Sequence, residues 1–117
     1  MDREKETTIA LKQGDTFSKK INIQRKTSHG YEMYTPEPGS RLRFIAKRRL
    51  GDKQGVLIES EINIETMILR IESEQTKNIA LRGREEKFVY DLELTLADGD
   101  VYTLISNGTL ILVPEVD

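Results

Sequence analysis

The 117-residue sequence predicts an all-β protein, an antiparallel sandwich or small barrel of about seven or eight short strands. Three observations carry that reading. Apolar residues recur at every second position over most of the chain, the period of a strand with one buried face. Glycine, proline, asparagine and aspartate interrupt the pattern roughly every eight to twelve residues. Only one stretch, 73–81, has helical spacing, and Gly83 stops it.

The elements follow in order. In 16–25, Phe17, Ile21 and Ile23 share one face and Lys20, Asn22 and Gln24 the other, which predicts a strand. Gly30, Pro36, Pro38 and Gly39 mark 26–40 as a loop, because proline cannot donate to a ladder. The strand 41–49 resumes with Leu42, Phe44 and Ala46 inward and Arg41, Arg43, Ile45, Lys47 and Arg49 outward. A turn at Gly51–Gly55 leads to a strand with Ile58, Ser60, Ile62 and Ile64 opposite Leu57, Glu59, Glu61 and Asn63, and 66–71 reads as a further strand. The short helical turn at 73–81 has Ser73 as its cap, with Ile79 and Leu81 tucked beneath. In FVYDLELTLADGDVYTLI, Asp98-Gly99 predicts a two-residue primed turn pairing Leu96 with Val101, Leu94 with Thr103 and Leu92 with Ile105. Beyond it, Ser106-Asn107-Gly108 allows either a bent strand or a second hairpin ahead of LILV at 110–113. The expected core comprises Phe17, Ile21, Ile23, Leu42, Phe44, Ile62, Leu92, Leu94, Leu96 and Val101.

The length fits one domain over 1–117, with 1–8 expected to be a flexible segment. With 37% apolar and 32% charged residues, the composition is that of a globular chain. Asp2, Arg3, Glu4, Lys5 and Glu6 stand where a signal peptide needs an apolar centre, and no apolar run is long enough to span a bilayer. There is no cysteine, which removes disulfides and thiolate chemistry, and the single histidine, His29, sits in a polar loop. No cofactor, metal site or catalytic group is expected. Asp98-Gly99-Asp100 lacks the further oxygens of a calcium loop, Gly51 and Gly55 lack the lysine and helix of a phosphate loop, and Glu72, Glu74, Glu85 and Glu86 read as solvent-facing.

The charge is divided unevenly. Residues 1–55 carry 13 basic against 7 acidic side chains, and residues 56–117 carry 5 against 13. A hairpin of 41–49 with 56–64 that sets Leu42 opposite Ile64 and Phe44 opposite Ile62 would pair Lys47 with Glu59 and so balance the basic strand. The rival reading is a nucleic-acid-binding barrel in which Arg41, Arg43, Lys47 and Arg49 track successive phosphates. Tryptophan is absent and aromatic content is only 6%, so stacking partners for bases are lacking and nucleic acid is not the expected ligand.

The order of signals resembles the small tail, neck and baseplate proteins of long-tailed phages and prophages, notably the N-terminal immunoglobulin-like domain of baseplate upper proteins. The residues that carry this are Gly14-Asp15-Thr16-Phe17, the basic strand Leu42–Arg48, Gln75-Thr76 through Leu81 and Gly83 to Tyr90-Asp91-Leu92-Glu93-Leu94, and the closing Asp98-Gly99, Thr103-Leu104, Gly108 and Val113-Pro114-Glu115-Val116. In place of the Asp-Leu-Thr-Gly turn of that group stands Thr35-Pro36-Glu37-Pro38-Gly39. The resemblance implies an immunoglobulin-like sandwich and a non-enzymatic structural subunit assembled into a virion in the host cytoplasm. Its partners would be other virion proteins or copies of itself, with no membrane involved. Tyr102 and Leu104, expected on the outer face of the Asp98-Gly99 hairpin, and the outward Ile45 are the candidate assembly residues.

Overall fold

The protein's structure, a computed structural model, describes residues 8–48, 55–81 and 83–114. Arg49, most of the Gly51–Gly55 turn, residues 1–7 and the Glu115-Val116 ending therefore lie outside the described residues. The strands are β1 (Thr8–Lys12), β2 (Phe17–Lys20), β3 (Gln24–Thr27), β4 (Gly30–Met33), β5 (Arg41–Lys47), β6 (Val56–Ile62), β7 (Ile68–Ile71), β8 (Glu86–Thr95) and β9 (Val101–Val113), with one helix, α1 (Ser73–Lys77). No helix among the described residues is long and apolar enough to cross a membrane.

The five-stranded sheet runs β1-β9-β8-β5-β6, β2 pairs with β7, and β3 with β4. The order β9-β8-β5-β6 on one side and the pair β2-β7 on the other is that of the G-F-C-C′ and B-E faces of a variable-type immunoglobulin sandwich, so the fold is all-β and immunoglobulin-like. One pairing departs from the antiparallel expectation. β1 lies parallel to β9, Ile9 opposite Leu110 and Leu11 opposite Leu112, because the chain leaves β1 through the Gly14 turn toward β2 and does not fold straight back.

Between the layers lie Leu42, Phe44, Ala46, Ile58, Ile62, Leu69, Ile71, Phe88, Tyr90, Leu92, Leu94, Leu110 and Leu112, all buried. Phe17, Ile21, Ile23 and Leu96 are partly buried against them. Val101, expected inside, is exposed. The cause is the turn. Gly99 N–H donates to Leu96 O and Leu96 N–H to Asp100 O, which closes a three-residue loop with Gly99 at φ 98°. The extra residue shifts the register by one, so Val101 lies opposite Thr95 and Tyr102 opposite Leu94.

β9 is a single strand of 13 residues and not two arms of a second hairpin. Its register with β8 slips between Tyr90 and Leu92 and again between Leu92 and Glu93, which restores Leu92 opposite Ile105. At the first slip Asn107 takes φ 60°, and its N–H donates to Asp91 Oδ1 at 3.0 Å.

Three further details differ from the sequence reading. Residues 26–40 contain a hairpin, β3–β4, turned at Gly30 with φ 118°. Glu72 caps the helix instead of Ser73, and Gln75 Oε1 accepts the Glu72 N–H at 2.9 Å. β5 and β6 pair two residues away from the expected register, with Leu42 opposite Ile62 and Ile45 opposite Glu59; a slip after Ala46 then sets Lys47 against Val56. The shift keeps the parity and hence the faces, while every outward partner changes.

Candidate assembly surface

β5 begins opposite the end of β8, Arg41 against Thr95, so the connection into β5 and the β8–β9 turn share one end of the sandwich. A Cβ built on Gly39 would stand 3.1 Å from the Ala97 Cβ, which shows how closely the two run. The β3–β4 hairpin emerges at the same end, since Ile21 N–H donates to Met67 O and Tyr34 N–H to Ile23 O.

These hairpins hold most of the exposed large apolar side chains. Val101 is 56% exposed, Tyr102 52%, Tyr31 59% and Met33 61%, with Leu104 less so. Tyr102 shares the face of Leu94, not the outer face as expected. It is nonetheless solvated. Leu104 occupies the second register slip, unpaired between Thr103 and Ile105. The outward Ile45 lies between Asp91 and Glu59 in the middle of the large sheet, so the three candidate assembly residues divide between two surfaces.

The basic face is largely neutralised. Arg41 Nε donates to Glu61 Oε1 at 2.6 Å, and Arg43 bonds Glu59 with Glu93 at 4.0 Å on its other side. The Glu59 hydrogen bond raises the Arg43 pKa above its ordinary value. Lys47, flanked by Val89 and Val56, makes no ion pair among the described residues. Arg49 lies outside them.

Two polar arrangements were not visible in the sequence. Thr76 is fully buried, and its Oγ1 accepts the Gly14 N–H at 2.9 Å. Gln13 Nε2 donates to the carbonyls of Thr76 at 3.0 Å and Ile79 at 2.6 Å. The Gly14-Asp15 turn and the helix are thereby joined. Residues 13–17 and 75–76 carried pattern in the sequence, but their contact is long-range and has no local signal.

A depression of 380 Å³ is lined by Ser40, Arg41, Glu61, Ile62, Asn63, Ile64 and Glu65. Its polar groups mostly serve each other, Arg41 on Glu61 and Asn63 Oδ1 accepting the Glu65 and Thr66 N–H groups. Asp98 Oδ1 accepts the Asp100 N–H at 3.0 Å, so that carboxylate closes the turn. His29 N–H donates to Thr27 Oγ1 in the β3–β4 turn.

No protein-family model matches the chain, and no curated protein matches it. Among solved structures, murine CRIg is similar over 94% of this chain and 93% of its own, at 8% identity and a TM-score of 0.38.

Proposed function

We propose that this chain is a non-enzymatic structural module of a phage or prophage virion, in the tail, neck or baseplate, that works by docking to other virion proteins through its hairpin end. The observation that carries the reading is the grouping of Val101, Tyr102, Leu104, Tyr31 and Met33 on two hairpins at one end of the sandwich. Large exposed apolar and aromatic side chains next to one another are what association surfaces place at their centres. The resemblance of the motif order to baseplate upper proteins supports the virion setting. The basic strand supports nucleic-acid binding poorly, since both Arg41 and Arg43 already bind carboxylates.

The test is light scattering on the purified chain mixed with the purified products of the genes flanking its own. A stable complex that is lost with Tyr102→Ser, while the variant stays folded, is the expected result. A chain that joins none of them, or micromolar binding to duplex DNA lost on Arg41 and Arg43 substitution, overturns it.

A further inference from the structure

We infer that the depression between the start of β5 and the β6–β7 turn is a binding site for an uncharged saccharide. The inference goes beyond the proposed function, because the lining contains none of the exposed apolar side chains of the two hairpins.

Two turns build the site. Ser40 stands immediately before β5, its N–H donating to Glu37 O at 3.0 Å, and Arg41 opens the strand. Across from them β6 ends at Ile62, which pairs with Leu42. Asn63 then closes the turn toward β7. Its backbone carbonyl accepts the Met67 N–H at 2.7 Å, and its Oδ1 accepts the Glu65 and Thr66 N–H groups at 2.8 and 3.3 Å. Both walls are held by these bonds without a ligand, which lowers the ordering cost of binding. The volume of 380 Å³ lies at the small end of the about 300–1,000 Å³ usual for small-molecule sites.

The observation that points to a ligand is Ser40. It belongs to the lining and is only 7% exposed, yet its hydroxyl has no hydrogen-bond partner among the described residues. Buried polar groups are nearly always satisfied, so one left over calls for an explanation. Other groups of the lining also have capacity to spare. Arg41 bonds Glu61 through Nε alone, which leaves its terminal nitrogens as donors. Asn63 uses only its side-chain oxygen and keeps the Nδ2 donors. The Glu65 carboxylate is in no ion pair among the described residues.

These groups select the ligand by charge. An anion drawn to Arg41 would meet Glu61 and Glu65, and a cation drawn to the carboxylates would meet Arg41. A neutral molecule with donors and acceptors side by side meets no such opposition. The hydroxyls of a saccharide supply both, accepting from the guanidinium and the amide and donating to the carboxylates. Ile64, partly buried, offers apolar surface to the C–H face of a sugar ring.

The test is a titration of the ¹⁵N-labelled full chain with the neutral disaccharides cellobiose, maltose, lactose and N,N′-diacetylchitobiose, followed by amide chemical shifts. At least one should bind with a dissociation constant of about 1–10 mM and move the amides of Ser40, Arg41 and Asn63–Glu65. Glu65→Ala should weaken that sugar by about threefold or more. Ser40→Ala should weaken it as well, while leaving Tm equal to or above that of the wild type, because it removes a buried hydroxyl that has no partner in the free chain. A Tm lowered by about 4 °C or more would show that the hydroxyl serves the fold, and would overturn the inference. So would no response to any of the four sugars, or shifts centred on Tyr31 and Tyr102. Chitobiose with free ammonium groups, a glucuronate disaccharide or N-acetylglycinamide binding as tightly as the best neutral sugar would overturn it too.

Discussion

Gly108 faces Tyr90 directly across the β8–β9 ladder, so closely that a Cβ on Gly108 would stand 2.5 Å from the tyrosine ring. The ring cannot easily yield. It is buried, with Phe44 packed against it at 4.9 Å between centroids. The glycine is required for space. Beside it, Asp91 holds the Asn107 N–H and so fixes the slip that brings the bare backbone over the ring.

Gly108→Ala should therefore destabilise the protein by about 1–3 kcal/mol through overpacking. Urea unfolding monitored by circular dichroism measures it. The same substitution made in a Tyr90→Leu background should cost clearly less, because the ring that the methyl meets is gone.

Burial pushes the Tyr90 phenol up to about 12, above the value of about 10 it has in the unfolded chain. The folded state thus holds that proton more tightly. The resulting stabilisation is complete below about pH 10 and is lost as pH rises from there toward 12. Stability measured between those values should fall more steeply in the wild type than in Tyr90→Phe, by up to about 1.4 kcal/mol per pH unit. Equal slopes would refute the assignment.

Thr76→Val should cost about 1–3 kcal/mol, because it leaves the Gly14 N–H without the hydroxyl that accepts it. Thr76→Ser keeps the oxygen and should recover most of that loss. Unfolding curves for the two variants separate the hydrogen bond from the packing of the methyl group.

In a double-mutant cycle, Arg43→Ala and Glu59→Ala should couple favourably by a few tenths of a kcal/mol, the usual magnitude for an exposed ion pair. Lys47→Ala and Glu59→Ala should show no coupling, because the observed register sets Lys47 opposite Val56. A coupling confined to the second pair would mean that β5 and β6 are paired two residues away.

What the sequence made legible was parity. Alternation placed Leu42, Phe44, Ile62, Leu92 and Leu94 on the buried face, because a period of two survives any register shift of two residues. Register itself was harder to read. Asp98-Gly99 announced a hairpin, yet the choice between a two- and a three-residue loop turns on a backbone hydrogen-bond pattern that both allow, and that choice moved Val101 and Tyr102 to the opposite faces. β3 and β4 left no alternation to detect, since both faces of β4 are exposed and nothing selects for a period there. β1 was hidden for another reason. Its partner lies about a hundred residues downstream, Thr8 against Thr109, and parallel pairing has no turn to advertise it. Of the candidate surface, Tyr102 and Leu104 stood out as apolar residues in exposed places, whereas the carboxylates that hold Arg41 and Arg43 become visible only once β5 and β6 are in register.

The parallel lie of β1 and β9 also has a mechanical meaning. Tension drawing Thr8 and Val113 apart would slide the two strands lengthwise past each other. The rungs from Thr8–Thr109 to Lys12–Val113 would then bear the load in shear, all together, and not peel open one at a time as in a hairpin pulled from its open end. Force arriving through the terminal strands thus meets the sandwich along its most resistant direction.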